Sequence, residues 1–179
     1  MNVGVIGLGY VGLTLSVSLA KNGAYVYGCE KNENILSSLQ DGKAHFFEEG
    51  MDINLNEVIQ SGHLRFALEF DPNIKYDYFI ITVGTPLLED DNVIDLSSIK
   101  KALEELRGIY NGKQLVVLRS TVEVGTTASV ALPILHSLIP RDSNNEPMIA
   151  FCPERTVEGK AMSELQNLPQ IISGNSKDA

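Results

Sequence analysis

Three glycines near the start of the chain have the spacing of a loop that binds a dinucleotide. They are Gly7, Gly9 and Gly12, in the run Asn-Val-Gly-Val-Ile-Gly-Leu-Gly-Tyr-Val-Gly. The first glycine permits a tight turn, the second lets the backbone approach a pyrophosphate, and the third lets the following helix pack on the strand. A helix beginning near Tyr10 would direct free N–H groups and its positive dipole end at the same anion. Glycine-rich turns also connect elements without binding a ligand, and the spacing alone leaves that alternative open.

A carboxylate follows the second predicted strand, at the position of a ribose ligand. The strand is Tyr25 to Cys29, and Glu30 lies directly after it, roughly 20 residues beyond the glycines. Between loop and strand lies an apolar helix that includes Val11. We therefore predict NAD as the cofactor, because a carboxylate here repels the 2′-phosphate of NADP, although the neighbouring Lys31 leaves a small opening for it.

Polar residues follow three later strands of the predicted sheet. Ligands of parallel sheets bind outside the carboxyl ends of the strands, so the residues after each strand are candidates for a site. They are the runs 83–86, 119–125 and 152–159. Turn and capping residues are also common at such positions, and for the run from Gly84 to Pro86, which includes Thr85, both interpretations remain open.

Two residues in the later runs have side chains suited to proton transfer. Thr121 offers a hydroxyl that can orient a water, and Glu154 a carboxylate that can accept a proton. A helical turn would place Glu158 on the same face as Glu154, and paired acids raise one pKa toward neutrality. Arg155 can bind a phosphate or carboxylate. The structural alternatives are a helix cap for Thr121, solvent-facing acids for the glutamates, and a surface salt bridge for Arg155.

The cysteines do not have the spacing of a metal site. Cys29 and Cys152 lie at the ends of predicted strands, with no CxxC spacing and no histidine pattern beside them. They have the character of buried thiols in a reducing compartment. We expect neither a metal nor a nucleophilic role for Cys152, since no cationic neighbour is assured to lower its pKa.

Composition indicates one globular domain of ordinary size, long enough for a real core. The chain has 179 residues, 44% hydrophobic content and a formal charge of −9. Such a charge disfavours nucleic acid and anionic membranes as partners. No apolar run approaches the roughly 20 residues that span a bilayer, and Met1 leads directly into a strand, so we expect a cytoplasmic protein.

Alternating strands and helices predict one α/β domain over residues 1–179, a doubly wound, mostly parallel sheet of the Rossmann type. Besides the first two, predicted strands cover 64–68, 77–83, 114–118, 148–151 and 170–173. Further helices are predicted over 32–40, 52–60, 96–109 and 126–138, the last interrupted by Pro133.

Four motifs in order resemble the N-terminal NAD-binding domain of the UDP-glucose/GDP-mannose dehydrogenase family. They are Gly-Leu-Gly-Tyr-Val-Gly, Gly-Thr-Pro, Ser-Thr-Val-x-x-Gly-Thr-Thr and Pro-Glu-x-x-x-Glu-Gly-x-Ala. The resemblance implies oxidation of the C6 alcohol of a nucleotide sugar to a carboxylate, in two NAD-dependent steps with the aldehyde held on a cysteine. It also implies a role in making polysaccharide precursors.

The resemblance assigns roles by position. The cofactor set is Gly7, Gly9, Tyr10, Val11, Gly12, Glu30, Gly84, Thr85, Thr121 and Glu158. Thr121 matches a threonine that holds the active-site water, Glu154 a carboxylate at the reacting centre, and Glu158 a residue reaching toward the nicotinamide. The substrate set is Glu154, Arg155 and Thr156.

The chain departs from the family at several positions. Ile35 lies where members often have Lys or Arg, and Pro-Glu-Arg replaces the Pro-Glu-Phe of UDP-glucose enzymes, which resembles the branch acting on UDP-N-acetylmannosamine and related sugars. The family's lysine, asparagine and nucleophilic cysteine belong to central and C-terminal domains that this chain lacks. We expect a fragment that binds NAD but is inactive alone, from an enzyme that is a homodimer or larger.

Two other functions fit part of the pattern. A non-catalytic nucleotide-binding or interaction module needs the glycine loop but not Thr121, Glu154 or Glu158. Another Rossmann dehydrogenase, such as one acting on a 3-hydroxy acid, usually has a catalytic histidine. His45, His63 and His136 each occur singly, and none follows a predicted strand.

Overall fold

The described part of the chain, residues 1–88 and 93–179 of a computed structural model, contains a seven-stranded sheet. Its strands are β1 (Asn2–Ile6), β2 (Tyr25–Cys29), β3 (Leu64–Ala67), β4 (Tyr78–Ile81), β5 (Leu115–Leu118), β6 (Met148–Phe151) and β7 (Ser173–Gly174). They lie in the order β3-β2-β1-β4-β5-β6-β7, and all neighbours are parallel except β7 on β6. The predicted doubly wound, mostly parallel α/β sheet is confirmed.

Helices cover both faces of this sheet, and a separate apolar core lies on each face. The helices are α1 (Tyr10–Lys21), α2 (Glu33–Gln40), α3 (Met51–Gln60), α4 (Ser97–Glu104), α5 (Leu132–Leu138) and α6 (Ala161–Asn167). On one face Leu13 and Leu55 pack with Val5, and on the other Leu103 packs with Phe79. Burial on both faces explains the nearly continuous apolar character of the central strands.

Capping chemistry explains where α2 begins. The side chain of Asn32 accepts hydrogen bonds from the backbone N–H groups of Asn34 at 3.0 Å and Ile35 at 3.3 Å. These N–H groups have no partner within the helix, so the asparagine satisfies them. The predicted helix with Asn32 at its start is confirmed.

Two predicted helices differ in detail. The helix predicted over 96–109 ends at Glu104, and the chain continues in turns that keep Leu106 and Tyr110 buried. The helical spacing of apolar residues in the sequence therefore continues past the end of the regular helix, into turns that are also buried. The interruption expected near Pro133 takes the form of a π-helical segment, Thr127–Ala131, directly before α5.

The last part of the chain contains two corrections. Residues 153–160 form no helix, so the expected helical turn joining Glu154 to Glu158 was wrong. The final strand is Ser173–Gly174 rather than 170–173, because only these two residues pair with β6, in antiparallel register.

The strand order creates the crevice in which a ligand would lie. The chain goes outward from β1 to β2 and β3, and then returns to place β4 on the other side of β1. Connections therefore diverge at the carboxyl ends of β1 and β4, which is the usual ligand position in open α/β sheets.

Among the helices of the described residues, none has both the length and the apolar character that crossing a membrane requires.

Candidate cofactor and active site

The three glycines of the loop after β1 have distinct structural roles. Gly7 has a φ of +86°, which favours glycine, and a Cβ on Gly12 would lie 1.9 Å from the carbonyl oxygen of Gly7. Such an approach is closed to any other residue at position 12. A Cβ on Gly9 would meet nothing within 4 Å, so that position faces open space. The loop therefore has one glycine for the turn, one for packing, and one that leaves room for a ligand.

The start of α1 fits an anionic group. The helix begins at Tyr10, and Gly9 at its N-cap supplies no side-chain hydrogen bond to the first turn. The first backbone N–H groups of a helix lack partners within it and carry its positive dipole end. Tyr10, Val11 and Gly12 can therefore present N–H groups to a pyrophosphate.

The carboxylate of Glu30 is fixed beside this loop. Its Oε2 accepts a hydrogen bond from Leu8 N at 2.8 Å, and its Oε1 accepts one from Asn32 N at 2.9 Å. The residue after β2 is thus tied to the loop after β1, where a ribose would follow the pyrophosphate. A cavity of about 210 Å³ opens here. Its lining includes Gly7, Cys29, Glu30, Lys31, Val83, Lys101 and Glu105.

Hydrogen bonds join the ends of β4 and β5 on the other side of the crevice. Ser120 Oγ donates to the carbonyl of Val83 at 2.7 Å, and Thr85 Oγ1 donates to the carbonyl of Thr121 at 2.7 Å. The Thr85 hydroxyl therefore shapes the crevice wall. Thr121 is exposed, and its own hydroxyl has no hydrogen bond within the described ranges 1–88 and 93–179, which leaves it available to a ligand or water.

A buried ion pair lies at the ends of β5 and β6. Arg119 Nη2 donates to Glu154 Oε2 at 2.5 Å, and the two side chains are 6% and 9% exposed. Arg119 Nη1 also lies 2.9 Å from Cys152 Sγ and 3.0 Å from Gln170 Oε1. Arg119 was not assigned a role from the sequence, although an arginine directly after an apolar strand of an acidic chain was a signal that could have identified it.

The environment of Glu154 lowers its pKa. Burial alone would raise the pKa, but hydrogen bonds from the backbone N–H groups of Thr156 and Arg155, at 2.9 and 2.7 Å, outweigh it together with the Arg119 guanidinium. Glu154 is therefore a carboxylate at neutral pH. The expected upward pKa shift from a Glu158 partner was wrong, because the neighbouring charge at Glu154 is a cation.

The other candidates of this segment lie at the surface. Arg155 is exposed and donates from Nη1 to the carbonyl of Pro169 at 3.3 Å. Thr156 is half-buried, and Glu158 is exposed. Cys152 is buried, and the cationic neighbour not anticipated from the sequence is Arg119.

A second polar network joins the segment after β6 to the glycine loop. The Tyr10 hydroxyl donates to Glu48 Oε2 at 2.6 Å and accepts from Gly159 N at 2.8 Å. Glu48 is 6% exposed, and its Oε1 accepts from Met162 N at 3.1 Å. Burial and the bond to Glu48 raise the pKa of Tyr10. This network joins the segment after β6 to the start of α1, through contacts that the sequence did not reveal.

Comparison with known proteins agrees with this geometry. A family model described as the NAD binding domain of the UDP-glucose/GDP-mannose dehydrogenase family matches residues 1–179. A UDP-N-acetyl-D-mannosamine dehydrogenase of Pyrococcus horikoshii is 32% identical over 179 residues, which are 100% of this chain and 42% of that protein.

Solved structures show the same likeness. A UDP-N-acetyl-mannosamine dehydrogenase of Staphylococcus aureus aligns with a TM-score of 0.90 and 30% identity, over 99% of this chain and 42% of that one. A GDP-mannose dehydrogenase of Pseudomonas aeruginosa, solved as a ternary complex, aligns with a TM-score of 0.90 and 26% identity, over 99% and 42% of the two chains. The chain thus spans about 42% of the length of these relatives.

The two glycine roles predict opposite outcomes for two alanine substitutions. Gly12→Ala places its Cβ against the Gly7 backbone, and we expect a loss of about 1–3 kcal/mol or more in the free energy of unfolding. Gly9→Ala should cost at most about 1 kcal/mol, since the position is open, but should weaken dinucleotide binding about tenfold or more. Urea unfolding and calorimetric titration with NAD separate the effects. Equal stability of the two variants would contradict these assignments.

The ion pair predicts a loss of stability in acid that depends on Glu154. Because its pKa is lower in the folded protein, the stabilisation is present above the ordinary value of 4.5 and is lost as the pH falls through the folded pKa. Glu154→Gln leaves Arg119 buried without its counter-ion, and we expect a loss of about 3–5 kcal/mol at neutral pH. On acidification to about pH 3, the free energy of unfolding should fall less for this variant than for the original chain.

Urea unfolding across that pH range measures both effects. Glu158→Gln is the matched control, because the carboxylate is exposed and should behave as the original chain does. Parallel stability curves for Glu154→Gln and the original chain would contradict the assignment.

Proposed function

This chain belongs to the UDP-glucose/GDP-mannose dehydrogenase family as its NAD-binding domain, and we propose that it serves a nucleotide-sugar 6-dehydrogenase. The proposed reaction oxidises the C6 alcohol of a UDP-sugar to the uronic acid in two NAD-dependent steps, for polysaccharide precursor synthesis. The observation that carries the proposal is the buried Arg119–Glu154 pair at the same sheet edge as the glycine loop. A module that only binds a nucleotide has no need of this fixed charge.

The residues of the chain fit a cofactor that lies along the sheet edge. The α1 N-terminus would hold the pyrophosphate, Glu30 would hold the ribose, and the wall formed by Gly84 and Thr85 would contact the rest of the cofactor. A bound NAD would supply the hydride acceptor for oxidation of the alcohol carbon. The chain's own contribution is to fix the cofactor in place and to hold polar groups at the far end of the crevice.

Thr121 and Glu154 supply the polar groups at that end. The hydroxyl of Thr121 lies on an exposed turn and can orient a water for the second step. Glu154 is held as a carboxylate by Arg119 and two backbone N–H groups, so it acts as a fixed negative charge and hydrogen-bond acceptor. Arg155 and Thr156 follow directly and line the approach of the substrate, while Glu158 faces the cofactor.

Further parts of the proposal concern the longer protein. The chain spans about 42% of its relatives, so we assign the nucleophilic cysteine to C-terminal domains of the same polypeptide. We propose a UDP-N-acetylhexosamine substrate, supported by Pro-Glu-Arg and by relatives named for UDP-N-acetyl-D-mannosamine. A homodimer or larger assembly in the cytoplasm is proposed, and the two buried free cysteines fit a reducing compartment.

Cofactor binding by the chain alone tests whether residues 1–179 bind NAD while catalysis needs the longer protein. We expect calorimetry to detect NAD binding to residues 1–179, and no NADH formation from UDP-N-acetylmannosamine, because the nucleophile lies elsewhere. A chain that binds no NAD would contradict the cofactor site. Turnover by the chain alone would contradict the assignment of the nucleophile to the longer protein.

Thr121→Val in the complete enzyme tests the proposed chemistry. Valine keeps the shape but removes the hydroxyl, while the Thr121 carbonyl still accepts the bond from Thr85. We expect kcat to fall about 100-fold or more, in the range of losing one acid–base group, and NAD affinity to fall by much less. Unchanged kcat would remove Thr121 from the reaction. Unfolding measured in parallel separates chemistry from stability.

A further inference from the structure

Four charged side chains line the cavity at the ends of β1, β2 and β4. Glu30 and Lys31 follow β2, and Lys101 and Glu105 come from α4 and the turn after it. The cavity also borders Gly7, so it continues from the glycine loop toward the position of a ribose. These four charged side chains form the rim of the cavity. A phosphate or hydroxyl at the ribose 2′ position would lie close to the charges of this rim.

Lys31 is paired within this rim. Its Nζ lies 3.5 Å from Glu105 Oε2, and the Glu105 side chain is 26% exposed. The same carboxylate oxygen lies 3.6 Å from the Sγ of Cys29, which donates to the carbonyl of Leu68 at 3.0 Å. Burial, with Glu105 close by, raises the pKa of Cys29 to about 12, so the thiol stays protonated. Glu105 therefore has a fixed place between a neutral thiol and a lysine.

A free lysine at this position would favour NADP. The 2′-phosphate of NADP is anionic, and a nearby cation is the usual means of accommodating it. Glu30 opposes the phosphate, but Lys31 is its direct neighbour and would offset that charge if it were unpaired. The ion pair with Glu105 both occupies the lysine and adds a second negative charge to the rim.

We propose that Glu105 is a positioning residue for cofactor choice: it holds Lys31 by an ion pair at the rim of the ribose cavity and so disfavours NADP relative to NAD. The proposal rests on the dinucleotide site described above. It assigns selectivity to a residue at the end of α4, which belongs to neither the glycine motif nor the ribose motif.

The test compares NAD and NADP affinities of the original chain with those of Glu105→Gln. Releasing Lys31 and removing one negative charge should tighten NADP binding about two- to fivefold relative to NAD, as expected for a partly exposed ion pair. NAD affinity itself should change by less than about twofold. Glu104→Gln is the matched control, because this neighbouring glutamate pairs with Arg107 and does not line the cavity.

A double-mutant cycle with Lys31→Gln tests whether Glu105 acts on cofactor choice through Lys31. In the Lys31→Gln background, Glu105→Gln should give little further change in the ratio of NADP to NAD affinity. The same gain in that background would assign the effect to Lys101 or to net charge and would overturn the proposal. An unchanged ratio in Glu105→Gln would also overturn it. An original chain that binds neither dinucleotide would overturn the site itself along with this inference.

Discussion

The close approach of α1 to the loop after β1 governs both the packing of the domain and the geometry of its cofactor site. A Cβ at Gly12 would lie 1.9 Å from the Gly7 carbonyl oxygen, so the helix backbone can approach the strand only at a glycine. The approach brings Leu13 and Val17 into the core against β1. It also fixes the direction of the helix N-terminus, which the cofactor site requires. Packing and binding thus depend on the same missing side chain.

The far end of the crevice is organised by charge rather than by close packing. Arg119 is buried, and its stabilisation depends on Glu154, the backbone carbonyl of Cys152 and Gln170. Because Glu154 also accepts two backbone N–H bonds, the ion pair shapes the chain after β6, which has no regular structure there. Desolvating both charges is costly. Their retention at the sheet edge fits a functional role better than a purely structural one.

Much of the fold follows from local sequence signals. The glycines, Asn32 and the apolar strands each determine structure through nearby atoms, and the corresponding elements lie where they were predicted. Hydrogen-bond and ion-pair partners that are distant in the sequence could not be predicted in this way. Nothing near Glu48 in the sequence indicates that it would bond Tyr10 and Met162, and nothing near Glu154 indicates an arginine partner after another strand. The pKa of Glu154 was therefore predicted in the wrong direction, although the residue itself was placed at the site.

The Tyr10 hydroxyl also has a consequence for synthesis of the protein on the ribosome. It bonds Gly159, across a sequence separation of 149 residues, and through Glu48 it reaches Met162. The first helix can complete its polar contacts only after the segment following β6 has emerged from the exit tunnel. Early βαβ units can collapse during elongation, but the buried carboxylate of Glu48 lacks its Met162 partner until then. The polar contacts of the Tyr10 side chain are thus completed only 149 residues after Tyr10 itself is made.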